Sequence, residues 1–507
     1  MHGVHFANCC SFQMNSSIST KPMTPTTLHD LPVNRRNLLK QWCLGFGGLA
    51  FNSMLAETAA GAKPGRALAP KDGHFKPRAK RIIFLFMHGG PSHVDLFDPK
   101  PALAKYDGKE PPFERTRVKF GKRGNLLRSP WEFRQTGTSG IPMSSLWQNL
   151  PEVADELCML HGLCETNVAH GGACMKLFTG SESLIRPSMG AWVSYGLGTE
   201  NQNLPSFITI CPTSLHGGVD NFGSAFLPNI HQGVPLGTPG YPNTPAKDAR
   251  FAFLNSESRS RKQQRIQLDQ LKIINKRYQE QVGANTQLEA RIESFEMAFR
   301  MQLEAPQAMN IAEESKATLE MYGYDDPTTR NFAHQLLLAR RFSEQGVRFV
   351  QVSHAGSLPF NNEQWDQHSH IKKGHEINVA QIDKPITGFI KDLRQRGLLE
   401  DTLVLWGGEF GRTPTAQVGN PETIGRDHHP DGFTMFMAGG GVKGGYRYGE
   451  TDEFGYYAID GRMTIHDLHA TLLHLMGLDH ERLTYQYGGR NFRLTDVHGS
   501  VAKDILT

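Results

Sequence analysis

The sequence predicts an α/β protein built on a mostly parallel, doubly wound sheet, an α/β/α sandwich. Apolar runs with the length of buried strands occur at Arg81–Met87, Leu157–Leu160, Ser206–Ile210, Val347–Val352 and Leu403–Trp406. Segments with helical spacing separate several of these runs, as at 331–345 and 376–397. Strands that alternate with helices are typical of a parallel sheet covered by helices on both faces.

Residues 1–60 are predicted to be a twin-arginine (Tat) signal peptide. Arg35-Arg36 precedes a short apolar segment that glycines interrupt, and small residues after Glu57 offer cleavage points. The apolar segment is too weak for a stable membrane span of about 20 residues. We therefore expect export by the Tat machinery to the periplasm or cell envelope, with an uncleaved signal anchor as the alternative.

Two further boundaries divide the rest of the chain. Residues 61–80, rich in Pro, Gly and Lys, are predicted to be a linker, and 81–507 to be the α/β domain. A helical insertion is expected at about 252–325, where Leu288, Ile292 and Phe295 recur at helical spacing. This insertion either covers the functional site or packs against the sheet.

Composition excludes some functions. The chain of 507 residues carries a net charge of only +4, which does not indicate a nucleic acid as partner. No GxSxG motif is present, which disfavours a serine hydrolase of the α/β type. The cysteines form no CxxC pair, so a thiolate zinc site is not predicted. After the leader, one disulfide or buried free thiols both remain open.

Acidic and imidazole side chains gather next to predicted strands. Asp366 and His368 follow the Val347–Val352 strand, and Asp427-His428-His429 precedes the apolar run Phe433–Ala438. Ligands of open α/β sheets bind beyond the carboxyl ends of strands. Mixed oxygen and nitrogen ligands suit zinc, manganese or iron. We expect only one of the two adjacent histidines to face a metal ion, because neighbours on an extended chain point opposite ways.

Glu409 and Arg412 follow the Leu403–Trp406 strand and are candidates for the same site. Glu409 could supply a further carboxylate ligand. Arg412 could steady Glu409 or clamp an anionic substrate through its planar guanidinium fork. The alternative is that the two form a structural ion pair.

Long motifs resemble a known family. The leader together with MHGGPSHVDLFDPKP, WDQHSH, LVLWGGEFGRTP and GRDHHPDGFTMFMAGGGVKGG is similar to the exported, sulfatase-like family catalogued as domain of unknown function 1501. This resemblance implies a fold of the alkaline phosphatase and sulfatase superfamily, whose members hydrolyse phosphate or sulfate esters at a metal site. It covers nearly all of residues 81–507.

The resemblance also implies roles for individual residues. His170 lies where the superfamily has its cysteine, serine or threonine nucleophile, and would act as nucleophile or general base. Phe410 replaces a histidine ligand, so neither a two-metal mechanism nor the ordinary sulfatase reaction is expected. The implied metal ligands are His88, Asp366, His368, Glu409 and His428 or His429.

The sequence thus predicts an exported metal-dependent hydrolase of sulfate or phosphate esters. Its substrate would be a small molecule or a polysaccharide, and its cofactor a divalent metal ion such as zinc, manganese or calcium. One alternative is a non-catalytic relative that binds a glycan or a partner protein. A weaker alternative is a metal-dependent oxidoreductase.

Overall fold

The computed structural model describes residues 68–113, 123–252, 254, 258–283, 285–356, 364–417 and 423–507. The predicted signal peptide lies outside the described residues. In chain order the strands are β1 Arg81–Met87, β2 Arg123–Leu126, β3 Phe133–Thr136, β4 Ile141–Ser144, β5 Leu157–Leu163, β6 Phe207–Ile210, β7 Val234–Leu236, β8 Phe349–His354, β9 Thr402–Gly407, β10 Gly411–Gln417, β11 Gly425–His429, β12 Phe433–Ala438, β13 Tyr446–Tyr448, β14 Glu450–Thr451, β15 Ala458–Asp460, β16 Tyr485–Tyr487 and β17 Arg490–Phe492. The α-helices are α1 His93–Leu96, α2 Pro101–Lys105, α3 His170–Thr179, α4 Met189–Leu197, α5 Arg261–Val282, α6 Thr286–Ala308, α7 Lys316–Tyr322, α8 Arg330–Glu344, α9 Ile371–Gln395 and α10 Ile465–Leu475.

Eight strands form the central sheet, in the order β13-β5-β12-β9-β1-β8-β6-β7. Strands β9, β1, β8, β6 and β7 pair in parallel, whereas β12 runs antiparallel to both β5 and β9. All seven residues of β1 are buried, as expected of a strand covered on both faces.

Side chains of β1 alternate between two cores, one on each face of the sheet. Ile83 and Leu85 belong to a core shared with α6, α8 and α9. Ile82 and Phe84 belong to a second core shared with α3, α4 and α10. Helices therefore cover both faces of a mostly parallel sheet, which confirms the predicted doubly wound α/β sandwich.

The antiparallel direction of β12 brings distant sequence motifs to one edge of the sheet. The start of β12 lies beside the end of β9, where Glu409 follows Gly407. Here β11, β10 and β2 form a small second sheet in which His428 pairs with Arg412. The polar residues that leave β9 and those that precede β12 therefore meet.

The segment predicted as a helical insertion contains α5, α6 and α7. Helix α6 contributes Ala290, Met297 and Met301 to the main core, so it packs against the sheet layer. Leu288 and Ile292 instead line a small groove that also contains residues of α5. The described part of the predicted linker, 68–80, lies against the domain through Leu68, which is buried.

The four described cysteines, Cys158, Cys164, Cys174 and Cys211, are all buried. Among the described helices, none has the length and apolar character needed to cross a membrane.

Candidate metal centre

Four side chains from three parts of the chain converge at this edge of the sheet. His170 is the first residue of α3, Asp366 and His368 precede α9, and His428 lies in β11. One potential ligand atom from each lies within 4.8 Å of those of the other three. Asp366 Oδ1 is 3.3 Å from His170 Nε2 and 3.0 Å from both His368 Nε2 and His428 Nε2. We call His170, Asp366, His368 and His428 the four-residue centre.

Each histidine of the centre is held through its other ring nitrogen. His170 Nδ1 donates to Glu409 Oε1 at 2.6 Å, and His428 Nδ1 donates to the carbonyl of Val168 at 2.7 Å. His368 Nδ1 is bonded to the side-chain oxygen of Gln417. An acceptor on Nδ1 fixes the tautomer in which Nε2 carries a lone pair. In the neutral imidazoles, all three Nε2 atoms can therefore offer a lone pair to a metal ion.

Backbone hydrogen bonds join the segment before α9 to β11 and to the residues just before β11. His370 N–H donates to Thr423 O at 3.0 Å, and Arg426 N–H donates to Gln367 O at 3.1 Å. Gly425 is needed here, because a Cβ at this position would lie 2.2 Å from the carbonyl carbon of His368. These contacts hold Asp366 and His368 next to His428.

The charges of the centre are strongly coupled. Burial alone would raise the pKa of Asp366, but the Arg412 guanidinium and the three histidines around its Oδ1 lower it below its usual range. Burial would lower the pKa of His170, yet Asp366 and Glu409 raise it to about 9. Burial lowers the pKa of His428 to about 3, so its imidazole is neutral and able to bind a metal ion.

Arg412 supports Asp366 from behind the centre. Its side chain is fully buried, and its Nη2 lies 2.6 Å from Asp366 Oδ1. The guanidinium also donates to the backbone oxygens of Gly89, Gly90, Trp365 and Arg426. The sequence predicted that Arg412 could clamp an anionic substrate. The structure does not place it for that role, because its side chain has no exposed surface in the cleft. Its observed contacts position the carboxylate.

Glu409 and Phe410 also lie behind the centre. Glu409 is buried, accepts the N–H of Gly89 at 3.1 Å, and bonds to His170 instead of joining the four residues. The ring of Phe410 packs 4.9 Å from that of His170 and 4.6 Å from that of His428. The two residues therefore fix the orientation of candidate ligands.

His429 and His88 lie outside the four-residue centre. His429 points away from the centre and donates through Nε2 to the carbonyl of Tyr456, as the alternation along β11 requires. The His88 ring is buried, 6.4 Å from that of His170. Of the two adjacent histidines, His428 is the one that the structure brings to Asp366.

The centre opens into a cleft of about 500 Å³. Its lining residues are Ala169, His170, Gly171, His216, Asp366, His368, Gln417 and His428. His216 and Gln417 were not predicted from the sequence. A signal for His216 was present, because His216-Gly217-Gly218 repeats the tripeptide found at His88 and His170.

The donor set fits one kind of metal ion better than another. Three imidazole nitrogens and one carboxylate oxygen match the four-coordinate sites of zinc and are also used by manganese and iron. Calcium takes six to eight oxygen ligands. The donor set would therefore suit a transition-metal ion better than calcium.

Several solved structures share the outline of the fold at low similarity. The lipoteichoic acid synthase LtaP from Listeria monocytogenes is 11% identical over 82% of this chain and 76% of its own, with a TM-score of 0.34. The PsFucS1 sulfatase from Pseudoalteromonas sp. is 10% identical over 79% and 68%, with a TM-score of 0.32. The alkaline phosphatase from the Antarctic bacterium TAB5 is 9% identical over 78% and 98%, with a TM-score of 0.32. Chemistry does not transfer between chains at this similarity.

The sequence itself identifies the family. No curated protein matches it significantly. Residues 79–506 match the family described as "Protein of unknown function (DUF1501)". This match spans the whole α/β sandwich, including the four-residue centre and the residues that support it. The chain therefore belongs to the DUF1501 family.

Proposed function

We propose that the protein is an exported, metal-dependent hydrolase of sulfate or phosphate esters that uses a single divalent metal ion. The observation that carries this proposal is the four-residue centre, in which three Nε2 atoms and one carboxylate oxygen converge on an open cleft. A metal ion bound there would supply Lewis acidity toward an ester oxygen. Zinc, manganese and iron are the expected ions. Calcium, which was also expected from the sequence, is not, because three of the four donor atoms are nitrogens.

The surrounding residues would prepare the centre for the ion. Asp366 supplies the single negative charge among the four ligands, and Arg412 holds that carboxylate in place. Glu409 keeps the Nε2 of His170 directed at the centre. Phe410 packs against the rings of His170 and His428 and keeps water from their faces. In this proposal His170 is a ligand and Glu409 its support, which exchanges the roles expected from the sequence.

Replacing Glu409 with glutamine should weaken metal binding without removing the site. The amide oxygen can still accept from Gly89 and from the Nδ1–H of His170, but it carries no negative charge, so its hydrogen bond to His170 is weaker than that of a carboxylate. Changes to such an outer hydrogen bond typically cost about 10- to 100-fold in metal affinity. Competition with a chromogenic chelator measures the effect. Wild-type affinity in this variant would show that Glu409 does not orient His170.

Metal binding should release protons in neutral buffer. The two carboxylates raise the pKa of His170 to about 9 in the metal-free protein, so its imidazole is protonated below that pH. A metal ion must displace this proton, and metal affinity should therefore rise with pH until about 9. Calorimetry in two buffers of different ionisation enthalpy counts the protons. Binding without proton release would contradict this account of His170.

Elemental analysis and ester assays together test the proposed function. The mature protein, produced with its leader and exported, should contain about one tightly held zinc, manganese or iron ion per chain. Turnover of aryl sulfates or phosphates should stop on chelation and return when the ion is restored. A protein with no metal, even after reconstitution, would overturn the proposal.

A second candidate function is binding without turnover. It is favoured by one observation, namely that the described lining of the cleft contains no serine, threonine or cysteine nucleophile. A protein that retains stoichiometric metal and binds a sulfated glycan, yet turns over no ester, would support this alternative.

We also propose that the chain reaches the periplasm or cell envelope through the Tat machinery. The motif that supports this is Arg35-Arg36 ahead of an apolar segment. Changing both arginines to lysine should leave the precursor in the cytoplasm, as fractionation and immunoblotting would show. Unchanged export of this variant would contradict the proposal.

A further inference from the structure

Helix α5 has little cover within its own chain. It contains 22 residues and packs against α6, yet none of its described side chains is buried. Its neighbour α6, by contrast, buries Ala290, Met297 and Met301 in the main core. Most of the stability of a helix in a protein comes from the packing of an amphipathic face. A long helix without a buried side chain is therefore incompletely supported by one chain alone.

The polar contacts between α5 and α6 belong to one stripe of α5. Arg265 donates to both carboxylate oxygens of Glu296, at 2.8 and 2.7 Å, and Lys272 pairs with the same carboxylate at 2.8 Å. Arg265 and Lys272 are seven residues apart, so they lie above one another along the helix. Their charges are matched within the helix pair.

An apolar groove of about 130 Å³ runs between the same two helices. Its apolar lining residues are Leu268, Leu271, Leu288, Ile292 and Phe295. Among the described lining residues, Arg291 is the one that carries a charge. Leu288, Ile292 and Phe295 follow one another at intervals of four and three residues, which is the spacing of a helix stripe that packs against another helix.

A ridge of exposed apolar side chains borders the groove. Ile274 and Tyr278 follow Leu271 at intervals of three and four residues, so the three share one stripe of α5. Ile274 is 60% exposed and Tyr278 is 37% exposed. Of the thirteen large apolar side chains that are exposed in the described chain, six belong to α5 and α6. Such a concentration marks a binding surface. We call the groove and the Ile274–Tyr278 ridge beside it the groove face.

The groove face is complementary to itself. It carries a groove and a ridge side by side, so a second copy related by a twofold axis would place each ridge in the groove of the other. The product is a four-helix bundle, a common and stable arrangement. A helix of 22 residues is about 33 Å long and a helix pair is about 20–24 Å wide, which gives roughly 700 Å² per chain. Stable protein interfaces bury about 800 Å² per partner.

A membrane surface fits the groove face less well. Helix α5 contains six basic and two acidic residues, and its net charge of +4 would be attracted by anionic lipid. A bilayer, however, presents no ridge that could fill a groove between two helices, whereas a second helix does. The shape of the face thus favours a helical partner.

We propose that two copies of this chain form a symmetric dimer through the groove face. Ile274 and Tyr278 of each copy pack into the groove of the other. The described lining of the metal-centre cleft contains no residue of α5 or α6, so both clefts stay open in the dimer. This inference does not depend on the proposed function.

Sedimentation velocity of the mature wild-type protein tests the pairing. We expect a species with twice the mass of one chain, which dissociates on dilution. A wild type that stays monomeric at every accessible concentration would overturn the inference.

Ile274→Glu tests the surface. It should weaken dimerisation by at least about 100-fold, because the lost apolar contact and the added charge each occur twice in a symmetric dimer. Glutamate is a good helix former, so circular dichroism should show an unchanged helix content. The matched control is Ile459→Glu, which changes an equally exposed isoleucine in β15 and should dimerise as the wild type does. Unchanged dimerisation of Ile274→Glu would overturn the assignment of the groove face.

Hydrogen exchange locates the interface independently. Amides of α5 should exchange more slowly in the dimer than in the monomer, whereas those of the β16–β17 hairpin, which carries the exposed Tyr487, should not change. A monomeric wild type that binds phosphatidylglycerol vesicles, and loses that binding in Ile274→Glu, would overturn the second copy as the occupant. Ile274→Glu should hold metal as the wild type does, so the dimer and the metal centre are judged separately.

Discussion

Replacing His368 with alanine should abolish tight metal binding while leaving the protein folded. The side chain of His368 is 26% exposed, so its removal opens no cavity in the core. Its Nε2 lies 3.0 Å from Asp366 Oδ1 and 2.8 Å from His428 Nε2. Losing one of four ligands should cost more than losing an outer hydrogen bond, which typically costs about 10- to 100-fold in affinity. Chelator competition measures the loss.

A matched control lies two residues away. His370 is in the same segment but is not part of the four-residue centre, and its φ of +55° is one that asparagine tolerates. His370→Asn should bind metal as the wild type does. Metal should also raise the melting temperature of the wild type and of this control, because a ligand that binds only the folded state stabilises it. Equal metal binding in His368→Ala and the wild type would remove His368 from the centre.

Replacing Arg426 with methionine should destabilise the protein by about 3–5 kcal/mol, because it leaves a buried carboxylate without its partner. Arg426 and Asp95 are both fully buried, and they are joined by two hydrogen bonds of 2.7 and 3.0 Å. Burial would raise the pKa of Asp95, but Arg426 lowers it below its usual value. Chemical denaturation of the metal-free protein measures the change in the free energy of unfolding.

The stability that the Arg426–Asp95 ion pair contributes should depend on pH. Because the pKa of Asp95 is depressed in the folded protein, its ion pair contributes stability above the unfolded pKa of about 3.9. That contribution is lost as the pH falls through the folded pKa, so the difference between the variant and the wild type should shrink in acid. Adding Asp95→Leu to Arg426→Met should restore much of the stability, since no charge is then left buried. A double variant no more stable than Arg426→Met would contradict this explanation.

Most of the central sheet could be predicted because its strands are covered on both faces. The runs at Arg81–Met87 and Leu403–Trp406 are continuously apolar, which indicates buried parallel strands without any knowledge of their neighbours. The order and direction in which the strands pair could not be predicted in the same way. Nothing local in Phe433–Ala438 shows that it runs antiparallel to β9, and that direction depends on contacts far apart in the sequence.

The composition of the centre was predictable, but the division of roles within it was not. Asp366, His368 and His428 stand out as acid and imidazole residues beside strands. Whether His170 or Glu409 faces the centre depends on a 2.6 Å hydrogen bond between residues 239 positions apart. Likewise, the sequence places Arg412 near the site, but its complete burial follows from backbone oxygens that no motif reveals.

Metal-edge X-ray absorption spectroscopy of the loaded protein tests the central claim most directly. We expect three imidazole nitrogens and one carboxylate oxygen at about 2.0–2.2 Å from the ion. We also expect the signal of one imidazole to disappear in His428→Ala reloaded at high metal concentration. A shell of oxygen ligands alone, or one unchanged in His428→Ala, would contradict the four-residue centre.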